Sequence, residues 1–197
     1  MTREERRLRA QIVEAGRRLW QHELVGAGEG NLSARLPDGR LLATPAGCSK
    51  GFLAPADLVL LAADGSPLEP AAPPPSTEIA LHVACYLARP DALAVVHAHP
   101  LAALAHAMAG RPLEILVPEA GFAPGARVPV APFAPPGTAA VGASVRPLVA
   151  AGHDVVLLDR HGAVALGADP LIAAEKLEVI ERAAQLSLWI RILEPRV

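Results

Sequence analysis

Apolar residues recur at steps of four, three and four near the start of the chain, at Leu8, Ile12, Ala15 and Leu19, with Arg and Glu between them. That spacing keeps one helical face apolar and predicts an amphipathic helix. Gly26, Gly28 and Gly30 end it, and the alternating run Asn31 to Leu36, the turn Pro37-Asp38-Gly39 and the segment Arg40 to Thr44 predict a β-hairpin behind a glycine loop. Leu58 to Ala62 reads as a buried strand closed by Asp64-Gly65, and the proline-rich stretch Pro70 to Pro75 as a connector that fixes the entry angle of the next element. Ser76 has the chemistry to cap a helix from Thr77 to about Ala88 that packs through Ile79, Val83 and Leu87. Leu93 to His99 predicts a strand, and Leu101 to Ala109 a short helix ended by Gly110. Val117 to Gly137, dense in Pro and Gly, reads as loops with one edge strand. Asp154 to Asp159 and Ala163 to Leu166 predict two strands around Arg160-His161-Gly162. Asp169-Pro170 then opens a long closing helix with the stripe Leu177, Ile180, Ala184 and Leu188. Helices alternating with tightly joined strands call for an α/β fold built on a mixed sheet.

Composition narrows this picture. A chain of 197 residues suits one domain over 1–197, and 52% hydrophobic with only 3% aromatic residues means a core of Ala, Val, Leu and Ile. A net charge of -2 supplies no broad basic field, so nucleic acid is excluded as a partner and any phosphate recognition must be local. Cys48 and Cys85 cannot make a disulfide framework and read as ordinary buried thiols in a reducing, cytoplasmic setting. Met1 to Leu24 lacks the apolar centre of a secretory signal. Ala92 to Gly110 is apolar enough to suggest a membrane span, but His97, His99, His106 and Pro100 within it argue against any membrane role.

The candidate chemistry begins at His97-Ala98-His99. On a strand, residues two apart point to one face about 6.6 Å from each other, so both imidazoles can converge on one cation. A catalytic zinc takes three protein ligands and an open position, and His161 at a turn tip can supply the third. His22, His82, His106 and His153 compete for that place, with His82 and His106 reading as structural because they fall within helical patterns. Glu78 lies at a helix start, where free amides stabilise a carboxylate, and can serve as a metal ligand or as general base and acid. Ser76 and Thr77 add hydroxyls and amides at the same helix start, which is an anion site. Asn31 and Gly47 sit in turns of the kind that cradle phosphate, while Lys50, one of two lysines, reads by default as solvated.

These motifs occur in a particular order: Gly-x-Gly-Asn-Leu-Ser-x-Arg from Gly28, Thr-Pro-Ala-Gly at 44–47, Asp57-Leu58-Val59, Pro-Ser-Thr-Glu at 75–78, His-x-His at 97–99 and His161-Gly162. In that order and spacing the chain resembles the class II aldolase and adducin family, whose members include fuculose phosphate aldolase and ribulose phosphate 4-epimerase. The resemblance implies a three-layer α/β/α domain around a mixed, mostly antiparallel sheet, assembled as a homotetramer with sites at subunit contacts. It implies zinc, or another divalent transition metal, on His97, His99 and His161, with Glu78 as fourth ligand when substrate is absent. It also implies a phosphate resting on Asn31, Ala46, Gly47, Ser76 and Thr77. The activity implied is that of an aldolase cleaving a phosphorylated ketose through a metal-stabilised enediolate, with Glu78 moving the proton.

Two departures bear on that activity. Ala46 stands where several aldolases have a hydroxyl residue, which removes one phosphate hydrogen bond. The tyrosine that such aldolases place over the site from a neighbouring subunit is missing: Val128 to Phe133 reads Val-Pro-Val-Ala-Pro-Phe, the only tyrosine is Tyr86, and Glu119 is the nearest ionisable substitute. A zinc-dependent decarboxylase of a phosphorylated sugar acid would use the same metal and is the alternative within the fold, as is a non-catalytic adducin-like binding module. A methylthio-pentulose phosphate dehydratase is disfavoured by Glu78. Cupins and carbonic anhydrases also use His-x-His with a distant histidine, but three helical stripes argue against strand-dominated folds.

Overall fold

The computed structural model describes residues 1–70, 72–118, 122 and 126–193. Thr2 Oγ1 accepts the Glu5 N–H at 3.1 Å and caps α1 (Arg3–Gln21), which buries Leu8, Ile12, Ala15 and Leu19 as their spacing predicts. β1 (Asn31–Arg35) and β2 (Leu41–Ala43) form the expected antiparallel hairpin, and β3 (Val59–Leu61) extends it. After the proline connector come α2 (Ile79–Ala88), β4 (Ala94–Ala98) and α3 (Leu101–Met108). β5 (Leu113–Glu114) pairs with β6 (Arg127–Val128) apart from the main sheet, and β7 (Val130–Ala131) is the expected edge strand. The chain continues through α4 (Ala139–Ala150), β8 (Val155–Leu158), β9 (Gly162–Gly167) and α5 (Pro170–Leu193).

The main sheet has seven strands in the order β3-β2-β1-β4-β9-β8-β7, antiparallel throughout except where β7 runs parallel to β8. Strand alternation sorts its side chains onto two faces. Leu32, Ala34, Ala94, Val96, Ala163 and Ala165 pack with α1, α3 and α5, while Val95, Val164 and Leu166 pack with α2 and α4. The result is the expected three-layer α/β/α arrangement. Among the described residues, no helix is long and apolar enough to cross a membrane.

The structure departs from the sequence reading in α4, α2 and α5. α4 is a helix that the apolar pattern does not announce: Val141, Val145 and Val149 recur at steps of four and are buried, but Gly142 and the interior Pro147 weaken its signature. α2 begins at Ile79 rather than Thr77, with Glu78 at the cap position. Its buried face is Leu81, His82, Cys85 and Tyr86, and Leu87 is 67% exposed. The aliphatic stripe misleads because α2 buries polar and aromatic groups against β1, and because α4 packs closely on it. A Cβ at Gly142 would lie 2.8 Å from Ala84 Cβ. Leu188 likewise leaves the buried stripe of α5, whose other three members, Leu177, Ile180 and Ala184, are buried.

Candidate functional site

His97 lies on β4 opposite Asn31 of β1. Its Nδ1 is 2.9 Å from the Ala163 carbonyl, and a carbonyl only accepts, so Nδ1 carries a proton and Nε2 is the ring atom turned toward the other ligand groups. His99 lies just past the end of the strand and brings its Nε2 to 3.1 Å from that of His97. His161 is held in the β8–β9 turn by a bond from its N–H to Leu158 O at 3.1 Å. Its Nε2 lies 3.1 Å from Glu78 Oε1, while His97 Nε2 lies 3.2 Å from Glu78 Oε2. One ligand atom from each histidine falls within 4.8 Å of the others, the only such grouping among the described residues. Gly162 makes this approach possible. A Cβ there would sit 2.5 Å from Ala98 O and 2.8 Å from His99 Cδ2, so the His-Gly dipeptide is a packing requirement of the triad.

The donor set fits a divalent transition metal. Three imidazole nitrogens and a carboxylate converge, and a catalytic zinc takes ligands of this kind. His161 Nδ1 is buried without a hydrogen-bond partner, and Glu78 Oε1, although 3.1 Å from His161 Nε2, is not in good hydrogen-bonding geometry with it. Such polar atoms are costly to leave unsatisfied, which a bound cation or substrate would relieve. Burial pushes His99 down to about 4, helped by the neighbouring His97 ring, so the ring is neutral, as a ligand must be. Burial alone would raise the Glu78 carboxyl, but the rings of His161 and His97 and the amide of Asn31 outweigh it and hold the group well below the usual carboxylate range.

Glu78 reaches this position because it caps α2 without a side-chain bond to that helix, which leaves the carboxylate free to turn inward. Asn31 Nδ2 donates to Glu78 Oε2 at 2.9 Å, and Ser76 Oγ accepts the Glu78 N–H at 3.3 Å. Asn31, Ala46, Gly47, Ser76, Thr77 and Glu78 line a cleft of about 410 Å³ together with His99 and His161. Two backbone donors expected there are already committed: the Ala46 N–H bonds Pro74 O at 2.9 Å, and the Ser76 N–H bonds Thr44 O at 3.3 Å. A second opening reaches His99 and His161 past Trp20, Leu101 and Leu104.

Lys50 corrects the sequence reading. It is 2% exposed, lines the cleft, and donates from Nζ to Cys48 O at 2.7 Å and Gly28 O at 3.3 Å, with burial pushing its pKa down. The glycine loop and the Thr-Pro-Ala-Gly turn fold over it, and its rarity as one of two lysines is the signal available in the sequence. Cys85 is buried as expected, whereas Cys48 is only half-buried. His22 lies beside Glu178, and His106 is buried in α3. His82 is buried beneath Asn31 rather than in the triad. Glu119 lies outside the described residues.

A sequence profile of the class II aldolase and adducin N-terminal domain matches residues 10–188. A 3-oxo-tetronate 4-phosphate decarboxylase of Cupriavidus necator is 36% identical over 191 residues, 95% of this chain and 86% of that protein. A methylthioribulose-1-phosphate dehydratase of Gluconobacter oxydans is 46% identical over a shorter span of 93 residues, 47% of this chain and 44% of that protein. Among solved structures, the L-fuculose-1-phosphate aldolase of Thermus thermophilus superposes with a TM-score of 0.82 at 31% identity, covering 97% of this chain and 99% of the other.

Proposed function

The chain belongs to the class II aldolase and adducin family, and from that premise we propose that it is a metal-dependent carbon–carbon lyase that decarboxylates a phosphorylated 3-oxo sugar acid. One observation carries the reading. His97, His99, His161 and Glu78 converge beside a cleft whose lining includes Asn31, Gly47, Ser76, Thr77 and the buried cation of Lys50, with Glu29 at its glycine loop.

A zinc or similar divalent ion held by the three imidazoles would supply Lewis acidity toward a substrate carbonyl. The Asn31 amide, the Ser76 and Thr77 hydroxyls and the charge of Lys50 would bind the phosphate, using contacts remote from the reacting carbons to hold them in register. In decarboxylation the bond to the carboxylate carbon breaks, the electron pair stays on the carbon next to the carbonyl, and that carbon takes up one proton as CO2 leaves. Glu78, aimed into the cleft and ionised at rest, would relay that proton from a water molecule to the carbon.

Decarboxylation is favoured over aldol cleavage on two grounds. The first is the Cupriavidus necator relative, matched along nearly the whole chain. The second is proton economy: retro-aldol cleavage must also remove a proton from the departing hydroxyl, whereas CO2 departs without one. The only tyrosine, Tyr86, is buried and bonded to Ser33 and so cannot take that second duty. Aldol cleavage of a phosphorylated ketose remains the second reading, supported by the Thermus thermophilus structure. The proposal includes assembly as a homotetramer, supported by exposed apolar side chains on the last turns of α5.

Glu78→Gln tests the proton role. The variant is expected to retain most of its bound metal and lose turnover by about two orders of magnitude or more, the contribution typical of a positioned acid or base. His99→Ala is expected to lose the metal itself. Full activity in Glu78→Gln would remove Glu78 from the chemistry.

A further inference from the structure

Asn31 and Ser33 are two apart on β1 and therefore point to the same face of the sheet, toward α2. Glu78, His82 and Tyr86 are spaced by four along α2 and its cap, and therefore share one helical face. The two periods nearly match. Two strand residues advance by about 6.6 Å, and four helical residues by about 6 Å. Strand and helix groups consequently interleave as a ladder: Glu78, Asn31, His82, Ser33, Tyr86. Its rungs measure 2.9 Å from Asn31 Nδ2 to Glu78 Oε2, 2.5 Å from His82 Nε2 to Asn31 Oδ1, 2.7 Å from Ser33 Oγ to His82 Nδ1, and 2.9 Å from Ser33 Oγ to the Tyr86 hydroxyl. All five groups are buried or nearly so, and none of His82, Ser33 or Tyr86 lines the cleft.

The ladder runs in one direction. An ionised carboxylate only accepts, so the Asn31 atom facing Glu78 must be its NH2. The Asn31 oxygen then faces His82 and also only accepts, so His82 Nε2 must carry the ring proton. A neutral ring with Nε2–H has a lone pair on Nδ1, so Ser33 donates there and in turn accepts from Tyr86. Reversing any one rung sets two lone pairs or two protons against each other in a buried site, where such a mismatch is expensive.

From this we infer that His82, backed by Ser33 and Tyr86, is a positioning residue: it locks the Asn31 amide with its NH2, not its oxygen, toward Glu78 and the anion cleft. A flipped Asn31 would present a carbonyl oxygen to both the carboxylate and any incoming anion. The ladder thus turns a donor rather than an acceptor toward the cleft at Asn31 and holds the Glu78 carboxylate in place. The burial that keeps the His82 ring neutral also removes any competing proton. The anion-binding consequence rests on the function proposed above, whereas the direction of the ladder does not.

The experiment uses the full-length protein with labelled histidine and asparagine. Nitrogen NMR is expected to show His82 as the neutral Nε2–H tautomer, unchanged from pH 8 to pH 5, with Asn31 amide protons slow to exchange. An Nδ1–H tautomer, or a ring that titrates in that range, overturns the inference. Titration with inorganic phosphate supplies the second reading. His82→Phe is expected to weaken phosphate binding about tenfold, the loss of one hydrogen bond to a charged site, and His82→Gln, which keeps a donor at the same place, to recover most of it, with metal content unchanged in both. If both variants bind phosphate as the wild type does, the positioning role is overturned. A wild-type protein with the expected tautomer and no phosphate affinity would sink the phosphate reading of the cleft and leave the ladder standing.

Discussion

Burying an imidazole is unfavourable unless the folded chain keeps it neutral and bonded at both nitrogens, and His82 meets both conditions. Burial first, and then the nearby His97 ring, pushes it from the ordinary value of 6.5 down to about 3. A histidine depressed by folding takes its proton first in the unfolded chain, so across that window the unfolded state binds more protons and stability rises with pH. Its contribution is therefore complete above the ordinary range and is lost as pH falls from 6.5 toward 3. Urea midpoints measured from pH 7 down to pH 4 are expected to fall more steeply for the wild type than for His82→Gln, which has no proton to gain. Parallel curves would contradict this account of the residue. The same position shows where a sequence stops being informative. His97, His99 and His161 are legible because a strand period and a turn tip are local properties, and Glu78 because a helix start is one. His82 and Lys50 look bland in the sequence because β1 meets His82, and the Gly28 carbonyl of the glycine loop meets Lys50, only in the folded chain.

At the level of elements, the hairpin, the central strand bearing two histidines, the β8–β9 turn and both terminal helices are legible from apolar periodicity and turn residues. α4 is not, although it decides how α2 sits. Its packing with α2 depends on Gly142, where a side chain would meet Ala84 Cβ at 2.8 Å and Ala80 O at 3.1 Å. Gly142→Val is expected to force the two helices apart at a cost of about 1–3 kcal/mol, the usual penalty for overfilling a packed contact. Because Glu78 caps α2, the same shift should lower turnover more than it lowers metal content. Thermal unfolding and metal analysis of the variant check both parts, and a variant as stable and active as the wild type would show that the α2–α4 contact does not position the site. Pro147 explains why this helix is hidden: an interior proline normally breaks a helix, and α4 continues past it for about one further turn.

At the level of the whole molecule, α5 ends with Trp189 62% and Ile192 69% exposed, an unusual display of apolar surface near a helix terminus. If these residues are covered by another copy of the chain, sedimentation of the wild type should show a species larger than a single chain, and Trp189→Glu with Ile192→Glu should shift it toward smaller species. A wild type that sediments as one chain would contradict the assembly. Assembly is not legible from periodicity, because an apolar stripe reads the same whether it faces the chain's own core or a partner. The cation and the cleft are read together by CO2 release from a phosphorylated 3-oxo sugar acid by the purified protein, followed before chelation, after chelation, and after zinc is restored. Release that chelation abolishes and zinc recovers is expected. Release that continues undiminished in the chelated protein, or in a variant with His97, His99 and His161 all replaced by alanine, would contradict it.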